Sequence, residues 1–165
     1  MYLHQCFVSQ SRSGGGSNEV KCAGGTVGGG FCNIVCAPCS SIVGGQQNID
    51  EGTCFNSIAG GKSNCICFAS LGSSIDGGQN NFIRANHSTI AGGCGNALSG
   101  NCGFVAGSSN IIKTIHCNAA VMSTGITSVS SEMLHVNRLQ IKSLPTSDPG
   151  TPGVLWRDGY TIKVS

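Results

Sequence analysis

The feature that most constrains this chain is a short pattern, apolar-x-Gly-Gly-x-x-Asn, that returns along most of its length. Three copies are clean: Ile42-Val43-Gly44-Gly45-Gln46-Gln47-Asn48, Ile58-Ala59-Gly60-Gly61-Lys62-Ser63-Asn64 and Ile75-Asp76-Gly77-Gly78-Gln79-Asn80-Asn81. A fourth runs from Ile90 through Gly92-Gly93 to Asn96, and a fifth from Val27 through Gly29-Gly30 to Asn33. Degenerate copies flank these, Gly14-Gly15 leading to Asn18 and Phe104-Val105-Ala106-Gly107 leading to Asn110. The seven asparagines are spaced by 15, 15, 16, 17, 15 and 14 residues. Ser41, Ser57, Ser74 and Thr89 each precede the apolar residue of their copy. Two positions after each Asn lies a second column, Val20, Val35, Asp50, Ile66, Ile83, Leu98 and Ile112, in which Asp50 is the exception.

A period near 15 is too short for a helical-hairpin repeat, which needs more than about 30 residues. It is no heptad, and each glycine of a pair would weaken a helix by about 1 kcal/mol. Fifteen extended residues trace roughly 50 Å of path at about 3.3 Å each, which suffices for two short strands and two tight turns. One period therefore predicts one coil of a β-roll or β-helix. The Gly-Gly pairs are expected to supply positive φ and close backbone approach at the bends. The asparagines are expected to stack as an amide ladder about 4.8 Å apart. The fold class expected is all-β: a solenoid of about seven coils of 14–17 residues, with a small C-terminal hairpin cap.

Composition agrees with repetition. The 165 residues include 26 glycines but only 5% aromatic and 10% charged residues, too few large apolar side chains for an ordinary core and too little charge for a disordered tail. A net charge of +2 with no basic run makes nucleic acid an unsuitable partner, and no apolar run approaches the roughly 20 residues of a membrane span. Narrow coils lined by small side chains leave surface to cover, so closed association of identical chains, three around an axis, is expected.

Four regions follow: a lead segment 1–11, the repeat roll 12–112, a degenerate capping coil with short strands 113–144, and a turn-rich connector with hairpin 145–165. In 113–144, Leu134/Val136 and Leu139/Ile141 predict short alternating strands. In the last region, Asp158-Gly159 between two β-rich runs is a two-residue hairpin signal. The opening Met1–Gln10 has neither the basic nor the apolar part of a secretion signal, so most of the eleven cysteines are expected to be reduced and packed as small apolar groups.

Repeats such as SSIVGGQQN and STIAGGCGN resemble the head repeats of trimeric adhesins of the YadA type and related repeats of bacteriophage and large-virus fibre proteins. The tail LPTSDPGTPGVLWRDGYTIKVS looks like the closing segment of phage and marine-virus tail-fibre proteins. The resemblance spans residues 12–165. It implies a homotrimeric left-handed β-roll on a virion surface, a structural spacer joined to other fibre or baseplate proteins and able to bind a host glycan or receptor. The head of a bacterial surface adhesin is the alternative. The expected absence of a signal and of a membrane-anchor barrel favours the virion, and no self-cleaving chaperone domain is expected after Ser165.

Chemistry-bearing residues are few. Cys32-x3-Cys36-x2-Cys39 has the spacing of a radical iron–sulfur motif, but a Gly-rich roll lacks the barrel such a cluster needs, and packing is the better reading. Six positions after each Asn stand Gly24, Cys39, Cys54, Ser70, His87, Cys102 and His116. If that column faces a trimer axis, His87, Cys102 or His116 could converge on one ion; a semi-polar stripe in the wall is the plainer reading. Acids are scattered, no nucleophile has a base beside it, and no cofactor or enzymatic activity is expected. A glycan-active enzyme built on a β-helix is the remote alternative.

Overall fold

The computed structural model describes residues 11–12, 14–141, 144–158 and 160–165. Most of the expected lead segment, with Lys142 and Gly159, lies outside the described residues. Among those described there is no helix. The chain winds as a β-solenoid of about eight turns, one more than the asparagine count.

Among the described residues two parallel sheets make its walls. The first stacks nine strands: Ser11–Arg12, Thr26–Val27, Ser41–Ile42, Ser57–Ile58, Ser74–Ile75, Thr89–Ile90, Phe104–Ser108, Ala120–Thr124 and Leu134–His135. The second stacks seven: Glu19–Val20, Ile34–Val35, Ile49–Asp50, Cys65–Ile66, Phe82–Ile83, Ala97–Leu98 and Ile111–Ile112. The repeat enforces this register. Ser41 pairs with Ser57 and Ser57 with Ser74 in one wall, Ile49 with Cys65 and Cys65 with Phe82 in the other.

Because successive strand residues face opposite sides, each two-residue strand sends one side chain in and one out. Inward go Val27, Ile42, Ile58, Ile75, Ile90 and Val105 from the first wall, and Val20, Val35, Ile66, Ile83, Leu98 and Ile112 from the second, forming one buried cluster. Burying each Val, Leu or Ile contributes about 1.5–3 kcal/mol. The second column of the sequence is thus the inward row of the second wall, and Asp50 stands in that row, fully buried.

All the lengthening of the 16- and 17-residue coils falls in one arc. A second row of non-glycine and glycine residues with positive φ marks the far corner: Gly24, Cys39, Phe55, Gly72, His87, Cys102 and Asn118. From corner to next asparagine the chain takes nine residues in each coil up to Asn96, and eight to Asn110, where a single glycine replaces the pair. From asparagine to corner it takes six, seven or eight.

At the C-terminus, Leu155–Asp158 pairs antiparallel with Thr161–Val164. Asp158 pairs with Thr161, and Gly159, the second residue of the expected Asp158-Gly159 turn, lies outside the described residues. Of the expected strands at Leu134/Val136 and Leu139/Ile141, only Leu134–His135 forms, by adding in parallel to Ala120–Val121. Leu139 and Ile141 belong to no described strand.

Candidate functional site: axial ladders, corner rows and a buried carboxyl

The repeat motif builds a polar spine. In each coil the backbone N–H of one asparagine donates to Oδ1 of the preceding one: Asn48 to Asn33, Asn64 to Asn48, Asn81 to Asn64, Asn96 to Asn81 and Asn110 to Asn96, all at 3.0–3.1 Å. The side-chain amide then divides its two protons. Asn64 Nδ2 donates to Gly60 O of its own coil at 3.0 Å and to Gly78 O of the next at 3.1 Å. Asn48 does the same to Gly44 O and Gly61 O, and Asn81 to Gly77 O and Gly93 O. This explains the spacing Gly-Gly-x-x-Asn: the first glycine supplies a carbonyl to its own asparagine, the second to the asparagine one coil back.

The expected amide-to-amide stacking is only partly present. Nδ2-to-Oδ1 bonds join Asn18 to Asn33, Asn33 to Asn48 and Asn81 to Asn96, the three 15-residue steps, and are absent across the 16-, 17- and 14-residue steps. What continues without interruption is the backbone-to-amide bond. Asn33, Asn48, Asn64, Asn81, Asn96 and Asn110 are all buried, and each buried amide is satisfied, as the low interior dielectric demands.

The two glycines of a pair do different work. A Cβ on Gly45, Gly61 or Gly78 would run into the backbone of Gly61, Gly78 or Gly93 in the next coil, and these positions hold φ of +91°, +85° and +86°. A Cβ on Gly44 or Gly60 would meet open space. Positive φ is also carried by the residue just before the asparagine in coils where it is not glycine, as at Cys32, Gln47, Ser63 and Asn80 at 54–56°. The bends therefore rest on more than the glycine pairs.

A second ladder went unread in the sequence. Ser40 Oγ accepts the Asn56 N–H, Asn56 Oδ1 the Ser73 N–H, Ser73 Oγ the Ser88 N–H, and Ser88 Oγ the Gly103 N–H, at 3.0–3.1 Å. Each of these residues immediately precedes a first-wall strand, as in Ser40-Ser41-Ile42 and Asn56-Ser57-Ile58. That signal was present, but mixing of Ser with Asn and the variable arc before it hid the column.

Asp50 joins this second ladder. Its Oδ1 accepts from Gly52 N–H at 3.0 Å and Asn56 Nδ2 at 3.1 Å, while the buried Oδ2 has no hydrogen-bond partner. Burial pushes the carboxyl pKa above the ordinary range; the bonds from Gly52 and Asn56, and the nearby Ser40 hydroxyl, oppose this. Ser40 spends its own bonds on Pro38 O and Asn56 N–H, leaving Oδ2 bare.

The column proposed for a metal separates. His87 and Cys102 do share the exposed corner row, with His87 lying over Gly72. Cys54 and Ser70 fall out of that row because Phe55 and Gly72 occupy it in the longer coils, and His116 falls out because Asn118 does. His116 is instead buried, with Nδ1 2.6 Å from Ser128 Oγ, which also accepts the Lys113 N–H. Cys32, Cys36 and Cys39 occupy three stations around one coil: beside Asn33, on the outer rim of the second wall, and at the corner over Gly24. All three are free thiols, and among the described residues no group of three or more His, Cys, Asp or Glu is placed to hold a metal ion. Burial raises the Cys36 thiol pKa, partly offset by Lys21. Eight described cysteines are free, while Cys65 and Cys67, outward on either side of Ile66, form a disulfide.

No protein-family model matches the chain, and no curated protein matches it. Among the described residues no helix is long and apolar enough to cross a membrane.

Proposed function

We propose that this chain is a structural and adhesive segment of a virion fibre or spike, working as a rigid homotrimeric spacer joined to other fibre or baseplate proteins and offering a surface to a host glycan or receptor. The observation that carries this reading is an axial ladder unbroken from Asn18 to Asn110, in a rod that leaves large apolar side chains uncovered. Ile115, Met122, Val129, Leu134 and Leu139 are all more than half exposed in the single copy. A ladder of satisfied, buried amides resists bending and stretching, which suits a spacer. Uncovered apolar surface of this extent suits association.

The number of copies in solution, by native mass or cryo-microscopy, tests the assembly; a compact, stable monomer overturns it. Binding of the intact oligomer to host cells or a glycan array tests the adhesive role, and no binding above background reduces the segment to a spacer.

A further inference from the structure

We propose that copies of this chain meet through the outer face of the seven-stranded sheet. This rests on the self-association reading above and assigns it a face apart from the exposed Met122 and Leu134 of the first wall.

From Thr26 to Thr89 the two walls differ at one outward position of each strand. At the strand position before the core residue, the first wall carries the hydroxyls of Thr26, Ser41, Ser57, Ser74 and Thr89, and past them Phe104, Ala120 and Leu134; Ser74 and Thr89 bond to each other at 3.2 Å. At the same position the second wall carries Ile34, Ile49, Cys65, Phe82, Ala97 and Ile111, one per coil in direct register. These side chains face outward yet are apolar, half-buried as far as Ala97 and exposed at Ile111. A solvated sheet face is normally polar, so this row marks a surface awaiting cover.

Charge points to the occupant. Two residues further along each strand runs a parallel row holding Lys21, Cys36, Glu51, Cys67, Arg84, Ser99 and Lys113. Glu19 heads the apolar row and pairs with Lys21 at 3.2 Å. Under rotation about an axis parallel to the rod, the first row of one copy lies against the second row of its neighbour at the same height. Glu19 then faces a lysine and Phe82 faces a guanidinium, an opposite-charge pair and a cation–π pair. A second copy also has the same rung spacing of about 4.8 Å, so the rows stay in step over every coil. A partner without that period loses register after a few rungs.

The test compares two positions on the full chain. A photo-crosslinking phenylalanine analogue at Phe82 is expected to give covalent dimers and trimers on illumination, and the same residue at Ala59, on the hydroxyl wall, none. Ala97→Glu is expected to abolish the oligomer seen by native mass, and Ser57→Glu to preserve it. Should Ala97→Glu fail to fold, the Phe82 crosslink decides alone. An oligomer that crosslinks from Ala59 and not from Phe82 overturns this face while leaving the assembly intact. Crosslinking from Phe82 only to an unrelated protein overturns it too. A monomeric parent chain overturns both readings together.

Discussion

Asn64 hangs from Asn48: its backbone N–H donates to Asn48 Oδ1 at 3.0 Å, while its own Oδ1 accepts the N–H of Asn81 at the same distance. One side chain therefore satisfies backbone groups in two successive coils, with Nδ2 covering Gly60 O and Gly78 O.

Asn64→Leu is expected to leave the Asn81 N–H and two buried carbonyl contacts without this partner. An unsatisfied buried group costs about 1–3 kcal/mol, so a loss of about 3 kcal/mol in folding stability is expected. Denaturant midpoints of the two proteins measure it, and a change within about 0.5 kcal/mol contradicts the ladder's role.

Gly60 and Gly61 form a matched pair of probes. Gly61→Ala places a methyl against the Gly78 backbone at a φ of +85° and is expected to cost about 3 kcal/mol or more. Gly60→Ala points into open space at an ordinary φ and is expected to stay within about 0.5 kcal/mol. Thermal melts of both variants check the contrast; equal effects would show that the two glycines are equivalent.

Asp50 predicts a pH dependence of definite sign. Its folded pKa is raised, so the folded chain holds this proton more tightly than the unfolded chain. Stability from this group is full below the ordinary carboxylate pKa of about 4. It declines as pH climbs toward the raised folded value and stays flat above it. Exposed Asp148 and Asp158 are shifted the other way, so the measurement is a difference between wild type and Asp50→Asn. The variant is expected to lack the decline. Stability curves for the two that run parallel from pH 4 to pH 8 would contradict the buried, unpaired carboxyl.

Thiol mapping checks the cysteine assignment. Alkylation of the native protein is expected to modify the exposed Cys39, Cys94 and Cys102 first. Cys65 and Cys67 are expected to remain unmodified until a reductant is added, and to lie on one peptide lighter by two hydrogens. Modification of either before reduction would contradict the pairing.

Much of the architecture was legible because one asparagine per coil is nearly invariant in kind and spacing. That column, the inward Ile and Val rows and the hydroxyl row were all readable from the sequence, since each follows the asparagine or precedes the glycines at fixed distance. What failed was any column counted forward across the variable arc. A constant offset from Asn110 places His116 in the row of His87 and Cys102, yet two extra residues give that corner to Asn118. The second ladder was missed for the same reason. Asp50 was visible as an exception, but its bonds to Gly52 and Asn56 depend on how a lengthened arc folds back, and no pattern encodes that.

The confinement of every added residue to one side of the winding means that this molecule separates what must be kept from what may be altered. Its measure along the rod is written by the asparagine flank, while the opposite flank is free to grow outward without changing that measure. A foreign peptide spliced into the permissive flank should be displayed at a known height, so the chain could serve as a ruler with slots.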